Sequence, residues 1–331
     1  MRRTDRIPER ILIVSLDNLG DLVFTSALTT PLRNMFPDAA IDVWCREYAS
    51  PVARLIPHIG NVVSADPFWA RQPHIAAVSP RQILRSIGTV RGARYDVAIV
   101  TGAPWRTTAA VALTRIPVRV GAARPHNRHF LTHVVPAEDV RKPVVQEQAR
   151  LLRPLGARSE NPHYQLDPSR FDPRARAALS ELPPRFVALH PFASQRDRCV
   201  PLVEWVRIAF ELHAHDVPVV WIGMPHELEE LRRSFTHPVA QYVDCIGDGS
   251  LHTTAAVLSR ASLFVGHDSG PLHVAAAFGV PVIGVFAPGQ PERTFPQGPG
   301  PWRMIHHPNA SGINARSMLY EIEELGLFST T

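Results

Sequence analysis

Residues 262–286 read SLFVGHDSGPLHVAAAFGVPVIGVF. An apolar run ends abruptly in Gly266-His267-Asp268-Ser269-Gly270, a helical pattern starts at Pro271, and a second apolar run follows at 282–286. Strand, helix and strand in that succession make a βαβ unit, whose two strands lie parallel in one sheet. The loop that opens the helix admits two readings. Either Ser269 is an N-cap, or the backbone N–H groups at the helix start hold an anion, because unpaired donors and the positive end of the helix dipole meet there. Proline in the first helical turn suits both, since its missing N–H would be unpaired anyway.

The same alternation extends outward from this stretch. In the second half, strands are expected at 186–189, 217–222 and 263–266, with helices at 202–213, 227–235 and 315–325. The first half gives strands at 11–16, 41–44, 95–100 and 118–120, and helices at 22–35, 107–113 and 144–155, the last ending at Gly156 as a C-cap. Between the halves Pro162, Pro168, Pro173, Pro183 and Pro184 break the pattern. The expected organisation is a first domain over 1–165, a Pro-rich linker over 166–184 and a second domain over 185–331. Both domains are α/β, Rossmann-like and doubly wound around parallel sheets. Two such halves imply a cleft, with ligands beyond the carboxyl ends of the strands.

A chain of 331 residues with 45% apolar and 20% charged content has the composition of a folded globular protein. No apolar stretch reaches the roughly 20 residues that span a bilayer, and no secretory h-region with a cleavage site opens the chain, so a cytoplasmic protein is expected. Cys45, Cys199 and Cys245 are scattered and form no C-x-x-C pair, which points to reduced thiols. Charge is divided unevenly. Residues 1–170 hold 23 Lys+Arg against 14 Asp+Glu, a net of +9, while 171–331 hold 12 against 16, a net of −4. The first half is therefore expected to meet something anionic. Nucleic acid is disfavoured, since no basic run carries interleaved aromatics. An anionic acceptor and the headgroup face of a membrane fit equally, although no amphipathic anchor is visible.

Neither G-x-G-x-x-G nor G-x-x-x-x-G-K-[ST] occurs after a strand, which argues against a nicotinamide dehydrogenase and a P-loop NTPase. No D-x-D follows an apolar strand either, which disfavours a diphosphate gripped through a divalent metal. Four strand-end loops remain as candidates. In Asp17-Asn18-Leu19-Gly20-Asp21, Asp21 is either a first-turn residue that suits the helix dipole or a carboxylate placed to take a proton from a hydroxyl. The loop from His190 through Ser194 to Pro201, with Arg196 and Arg198, is either solvated or a phosphate grip. Glu227 in Gly223-Met224-Pro225-His226-Glu227 either opens a helix or accepts hydrogen bonds from sugar hydroxyls. The fourth is Asp268-Ser269-Gly270-Pro271-Leu272-His273, where His273 sits on the first turn within reach of the same anion.

Together these loops resemble the family 9 glycosyltransferases, the bacterial heptosyltransferases, from the opening strand to the final helix. Asp268 to His273, followed by AAAFGVPVIGVFAP, is close to that family's signature. Gly20-Asp21 with Thr25 matches its N-terminal motif, in which the aspartate is the proposed catalytic base. Pro225-His226-Glu227 matches a donor-binding segment, and Arg198-x-x-Pro201 stands where a Lys-(Arg/His)-Trp-Pro motif is usual.

The resemblance implies a GT-B fold, with the acceptor on the first domain and a nucleotide-sugar on the second. It also implies an inverting transfer that uses no metal or other cofactor, commonly from ADP-heptose to the inner core of lipopolysaccharide, at the cytoplasmic face of the inner membrane. On this reading Ser194, Arg198, Glu227 and Asp268 through His273 hold the donor. Asn18, Gly20, Thr25, Arg106, Arg124 and Arg128 meet the acceptor. Arg198 for lysine, Phe192 for glycine, Val200 for tryptophan, and Ala287 and Gly289 within the usual F-G-P-T depart from the pattern. These departures leave two alternatives open: a different nucleotide-sugar acting on another polysaccharide or natural-product scaffold, or a nucleotide-binding protein without catalysis.

Overall fold

The computed structural model describes residues 7–69, 79–157, 162–180, 182–193, 195–234 and 250–326. The chain forms two compact units, Met1–Leu166 and Asp167–Thr331. The Pro-rich stretch at 166–184 carries a 3-10 turn, Pro168–Arg170, and a helix, Pro173–Leu179, within the second unit. Asp172 caps that helix by accepting Ala175 N–H at 2.8 Å.

The first unit is built on six parallel strands: β1 (Arg10–Ser15), β2 (Ala40–Cys45), β3 (Ile59–Ser64), β4 (Val97–Val100), β5 (Val118–Ala122) and β6 (His133–Val135). Their order is β3-β2-β1-β4-β5-β6. The chain winds one way from β1 and then returns to β4 on its other side, so β1 and β4 flank the topological switch point. Register there is Ile11↔Val97 through Val14↔Val100. Residues 11–14 and 97–100 are buried throughout, as expected of central parallel strands covered on both faces. Leu12, Val14, Trp44, Ala98, Val100 and Val111 pack one face of this core.

The helical pattern expected over 22–35 begins earlier and is interrupted. It runs as helix Leu19–Thr25, a 3-10 turn Ser26–Leu28 and helix Thr29–Met35. Asn18 is the N-cap, and Pro31 lies in the first turn of the last piece, where it costs no hydrogen bond. The helix over 144–155 likewise becomes 3-10 after Ala149, then ends on Gly156 at φ 104°, the left-handed cap position glycine favours.

The second unit has β7 (Val187–His190), β8 (Val219–Trp221), β9 (Leu263–His267), β10 (Val282–Phe286) and β11 (Trp302–His306) in the order β11-β10-β9-β7-β8, all parallel. This is the other common doubly wound order, and its switch point lies between β7 and β9. The βαβ unit read from residues 262–286 is β9, helix Gly270–Ala277 and β10. Leu272 to Ala277 are buried, His273 among them, so the helix lies in the core of the unit.

Candidate active site

Every strand-end loop singled out from the sequence lies at the carboxyl edge of its sheet. In the first unit β1 delivers Asp17, Asn18, Gly20 and Asp21. The Asp21 carboxylate accepts Asn18 N–H through Oδ2 at 3.1 Å, which closes the first helical turn and fixes the carboxylate at the strand end. Arg106 stands on the first turn of helix Trp105–Leu113 after β4, stacked on the Trp105 ring at 4.9 Å. Arg124 and Arg128 follow β5 and are exposed. Thr25 differs from its expected role. It is 1% exposed and its hydroxyl donates to Leu22 O at 2.6 Å, so helix packing has taken it away from the edge.

Arg46, Asp66, Asn127 and Glu138, to which the sequence assigns no role, gather at this edge. Arg46 follows β2 and pairs with Asp66 beyond β3 at 3.1 Å. Arg124 pairs with Glu138 beyond β6 at 3.2 Å. Asn127 is fully buried, and its Nδ2 donates to Ala103 O and Ala122 O at 2.9 and 2.8 Å, tying the turn after β4 to the end of β5. That turn holds two left-handed residues in succession, Gly102 at φ 69° and Ala103 at φ 48°. A Cβ on Gly102 would collide with Asp17 Oδ2, so the Asp17 carboxylate occupies the space that glycine vacates. Burial pushes the Asp17 carboxyl up to about 6; the Asp21 carboxylate adds to the rise, Arg124 and Arg46 oppose it, and Glu138 adds again.

In the second unit the Ser269 side chain does not cap its helix. Its hydroxyl turns back and donates to His267 O at 3.0 Å. The N–H groups of Ser269, Gly270 and Leu272, which α-helical geometry leaves unpaired within the helix, are thus not met by the cap side chain. Asp268 is braced from two sides, by Thr294 Oγ1 on Oδ2 at 3.0 Å and by His273 Nε2 on Oδ1 at 3.4 Å. His273 is therefore turned onto Asp268 rather than onto an incoming anion, a carboxylate being the stronger partner for a buried imidazole.

Arg198 sits in a 3-10 turn, Arg196–Arg198, beyond β7, and its buried Nε has no hydrogen-bond partner among the described residues. The next loop position but one, Val200, donates its N–H to His267 Nε2 at 3.2 Å, and His267 stacks edge-on with Trp205 at 5.3 Å. Burial lowers His267 to about 3, with the nearby His190 adding to the fall, so the ring is neutral. An Nε2 that accepts a hydrogen bond puts the ring proton on Nδ1. His267 thereby joins the Arg198 loop to the Asp268 loop across the β7–β9 switch point. Glu227 beyond β8 accepts Met224 N–H at 2.7 Å through Oε2, as a helix-opening glutamate does.

Phe192 is 7% exposed, and a Cβ on Gly223 would come within 3.0 Å of its ring, so its bulk is absorbed between the ends of β7 and β8. Ser194 and Cys245 lie outside the described residues. Cys45 is buried, and its thiol is pushed up to about 12 by that burial, which leaves it a packing residue. Among the described residues no three His, Cys, Asp or Glu side chains gather as a metal site, and no helix is long and apolar enough to cross a membrane.

Two doubly wound units, each with its loops at a switch point, define a fold of the GT-B class. Residues 83–308 match the model of glycosyltransferase family 9 (heptosyltransferase), and the chain belongs to that family. It is 25% identical over 282 residues to lipopolysaccharide heptosyltransferase 3 of Escherichia coli, covering 81% of this chain and 80% of that protein. The fold is shared with E. coli ADP-heptose lps heptosyltransferase II, at a TM-score of 0.78 and 19% identity over 96% of this chain and 98% of that one. It is shared also with E. coli heptosyltransferase WaaC with ADP, at 0.76 and 20% over 95% and 99%. The chain is a glycosyltransferase.

Proposed function

We propose that the chain transfers a heptose from ADP-heptose to an anionic bacterial glycan such as the lipopolysaccharide inner core, with inversion and without a metal. The observation that carries the donor half is the loop pair at the β7–β9 switch point. There a buried Arg198 Nε has no hydrogen-bond partner among the described residues, and the start of helix Gly270–Ala277 is left uncapped by Ser269. Charge developing on a leaving diphosphate is best met by preorganised donors of this kind. Names borne by relatives supply the sugar: lipopolysaccharide heptosyltransferase 3 for the acceptor class, and the ADP complex of WaaC for the nucleotide.

The reaction then proceeds as follows. The acceptor hydroxyl oxygen attacks the anomeric carbon from the face opposite the diphosphate, and the bond between that carbon and the diphosphate oxygen breaks. The hydroxyl proton passes to Asp21. A carboxylate, with a solution pKa of about 4, is too weak to deprotonate a free sugar hydroxyl. It accepts the proton late, once bonding to a cation-like anomeric carbon has acidified the hydroxyl. Glu227 and Asp268 orient donor hydroxyls and the loop. Arg106, Arg124 and Arg128 meet the anionic groups of the acceptor, and the net charge of +9 over residues 1–170 favours peripheral contact with the membrane that carries it.

A thermal-shift screen with ADP, UDP, GDP, CDP and dTDP tests the donor. ADP is expected to give the largest stabilisation, and to lose most of it in Arg198→Gln. A larger shift with UDP or GDP would replace ADP-heptose by another nucleotide-sugar.

A further inference from the structure

We propose that Asp17 is a positioning carboxylate for this transfer: seated against Gly102 at the β1–β4 switch point and beside Asp21, its negative charge raises the proton affinity of Asp21 as Asp21 takes the acceptor's proton. The inference rests on the reading of Asp21 as the base.

The backbone at the end of β4 is shaped around this carboxylate. Only a glycine fits at 102, because a Cβ there would collide with Asp17 Oδ2, and the left-handed pair Gly102 and Ala103 is held in place from both sides. Thr101 Oγ1 donates to Val14 O at 3.0 Å, and Asn127 Nδ2 donates to Ala103 O at 2.9 Å. A strained turn braced in this way, at the edge where ligands bind, costs stability that packing alone would not require. Asp17 itself makes no hydrogen bond among the described residues.

The charged groups that face it come from four elements. Asp21 lies on the helix after β1, Arg46 beyond β2, Arg124 beyond β5 and Glu138 beyond β6. The two cations each serve another carboxylate, Arg46 with Asp66 and Arg124 with Glu138. They therefore offset the Asp17 charge only in part, and with burial as the first cause its carboxyl titrates at about 6. Above that pH Asp17 carries its charge beside Asp21, and a like charge makes protonation of a neighbouring carboxylate easier. When Asp21 takes the proton, the repulsion between them is relieved, so the transition state gains relative to the ground state. Below pH 6 Asp17 is neutral and the gain is lost.

The test is the pH dependence of kcat for the full chain, Asp17→Asn, Glu138→Gln and Asp21→Asn with saturating ADP-heptose and acceptor. The wild type is expected to show an acid limb with its midpoint near 6. Asp17→Asn should lose that limb and about tenfold of the plateau, with KM for the donor unchanged. Glu138→Gln removes one negative charge and releases Arg124, so its limb should move to lower pH. An Asp17→Asn variant that keeps the limb near 6, whether or not its rate falls, would overturn the proposal, as would an unmoved limb in Glu138→Gln. Turnover retained by Asp21→Asn would remove the base itself, a failure visible without any Asp17 variant.

Discussion

The first sheet holds a largely buried carboxylate towards each of its ends, and the two are treated in opposite ways. Asp42, on β2, is fully buried and accepts from Tyr95 Oη at 2.7 Å, from Asn61 N and Nδ2 at 2.8 and 3.2 Å, and from Arg10 Nη2 at 3.3 Å. Asp17, beyond the carboxyl end of β1, has a second carboxylate beside it and a glycine turn shaped to admit it. A buried charge surrounded by donors is part of the architecture. One placed next to a like charge destabilises the fold, and is kept where it does chemistry. Parallel α/β sheets divide their work along the strand axis, and this sheet does so with the same residue type.

That division can be broken at either end. The largest effect is expected from Asp21→Asn, which should lower turnover by about 10²–10⁴-fold. ADP affinity, measured by calorimetry, should stay within about twofold, because the proposed reading places the donor on the second unit and Asp21 lies on the first. Turnover within tenfold of the wild type would take Asp21 out of the mechanism. Next comes Asp42→Ala, which strands the hydroxyl of Tyr95 and the guanidinium of Arg10. Urea unfolding should show a loss of about 1–3 kcal/mol, while kcat per folded molecule is unchanged. A catalytic defect there would blur the contrast between the two ends.

Smallest, and opposite in sign, is the effect of Asp17→Asn on stability. The folded-state pKa of Asp17 is raised to about 6 from 3.8, so its protonated form is the one the fold prefers. The stability it contributes is complete below about pH 4 and lost as pH rises through 6. Asparagine escapes that loss. The variant should therefore melt a few degrees higher than the wild type at about pH 8 and match it at about pH 4. A gain at both would assign the effect to packing rather than to charge.

The central strands were legible because both of their faces are buried, which leaves continuous apolar runs such as residues 11–14 and 97–100. Of the edge strands, β8 was legible at 217–222 because Val219–Trp221 are buried, while β3 and β11 were not. β3 reads IGNVVS with only Ile59 buried, and β11 reads WRMIH with none of its residues buried, so neither carries a run to notice. The helices Pro80–Gly92 and Leu251–Arg260 went unread as well, although Ser79 and Ser250 cap them in the ordinary way. Asp21 and the Asp268–His273 loop were legible because glycine, proline and aspartate at a strand end carry their meaning in local spacing. The place of Asp17 was not, since it depends on Gly102, 85 positions further along and adjacent only once β1 has paired with β4. His267 stayed hidden for the same reason, its partner Val200 lying 67 residues away. Phe192, which departs from the family's glycine, brings bulk that the space beside Gly223 takes up, a fit between β7 and β8 that local sequence does not carry.

The most direct measurement follows ADP release and the product anomer by NMR, with ADP-heptose, a heptose-deficient lipopolysaccharide core as acceptor, and excess EDTA. One ADP released per sugar transferred, an inverted anomeric centre and a rate untouched by EDTA are expected. A retained anomer, activity that EDTA abolishes and Mg²⁺ restores, or no transfer from ADP-heptose where another nucleotide-sugar reacts, would contradict a metal-free inverting heptosyl transfer.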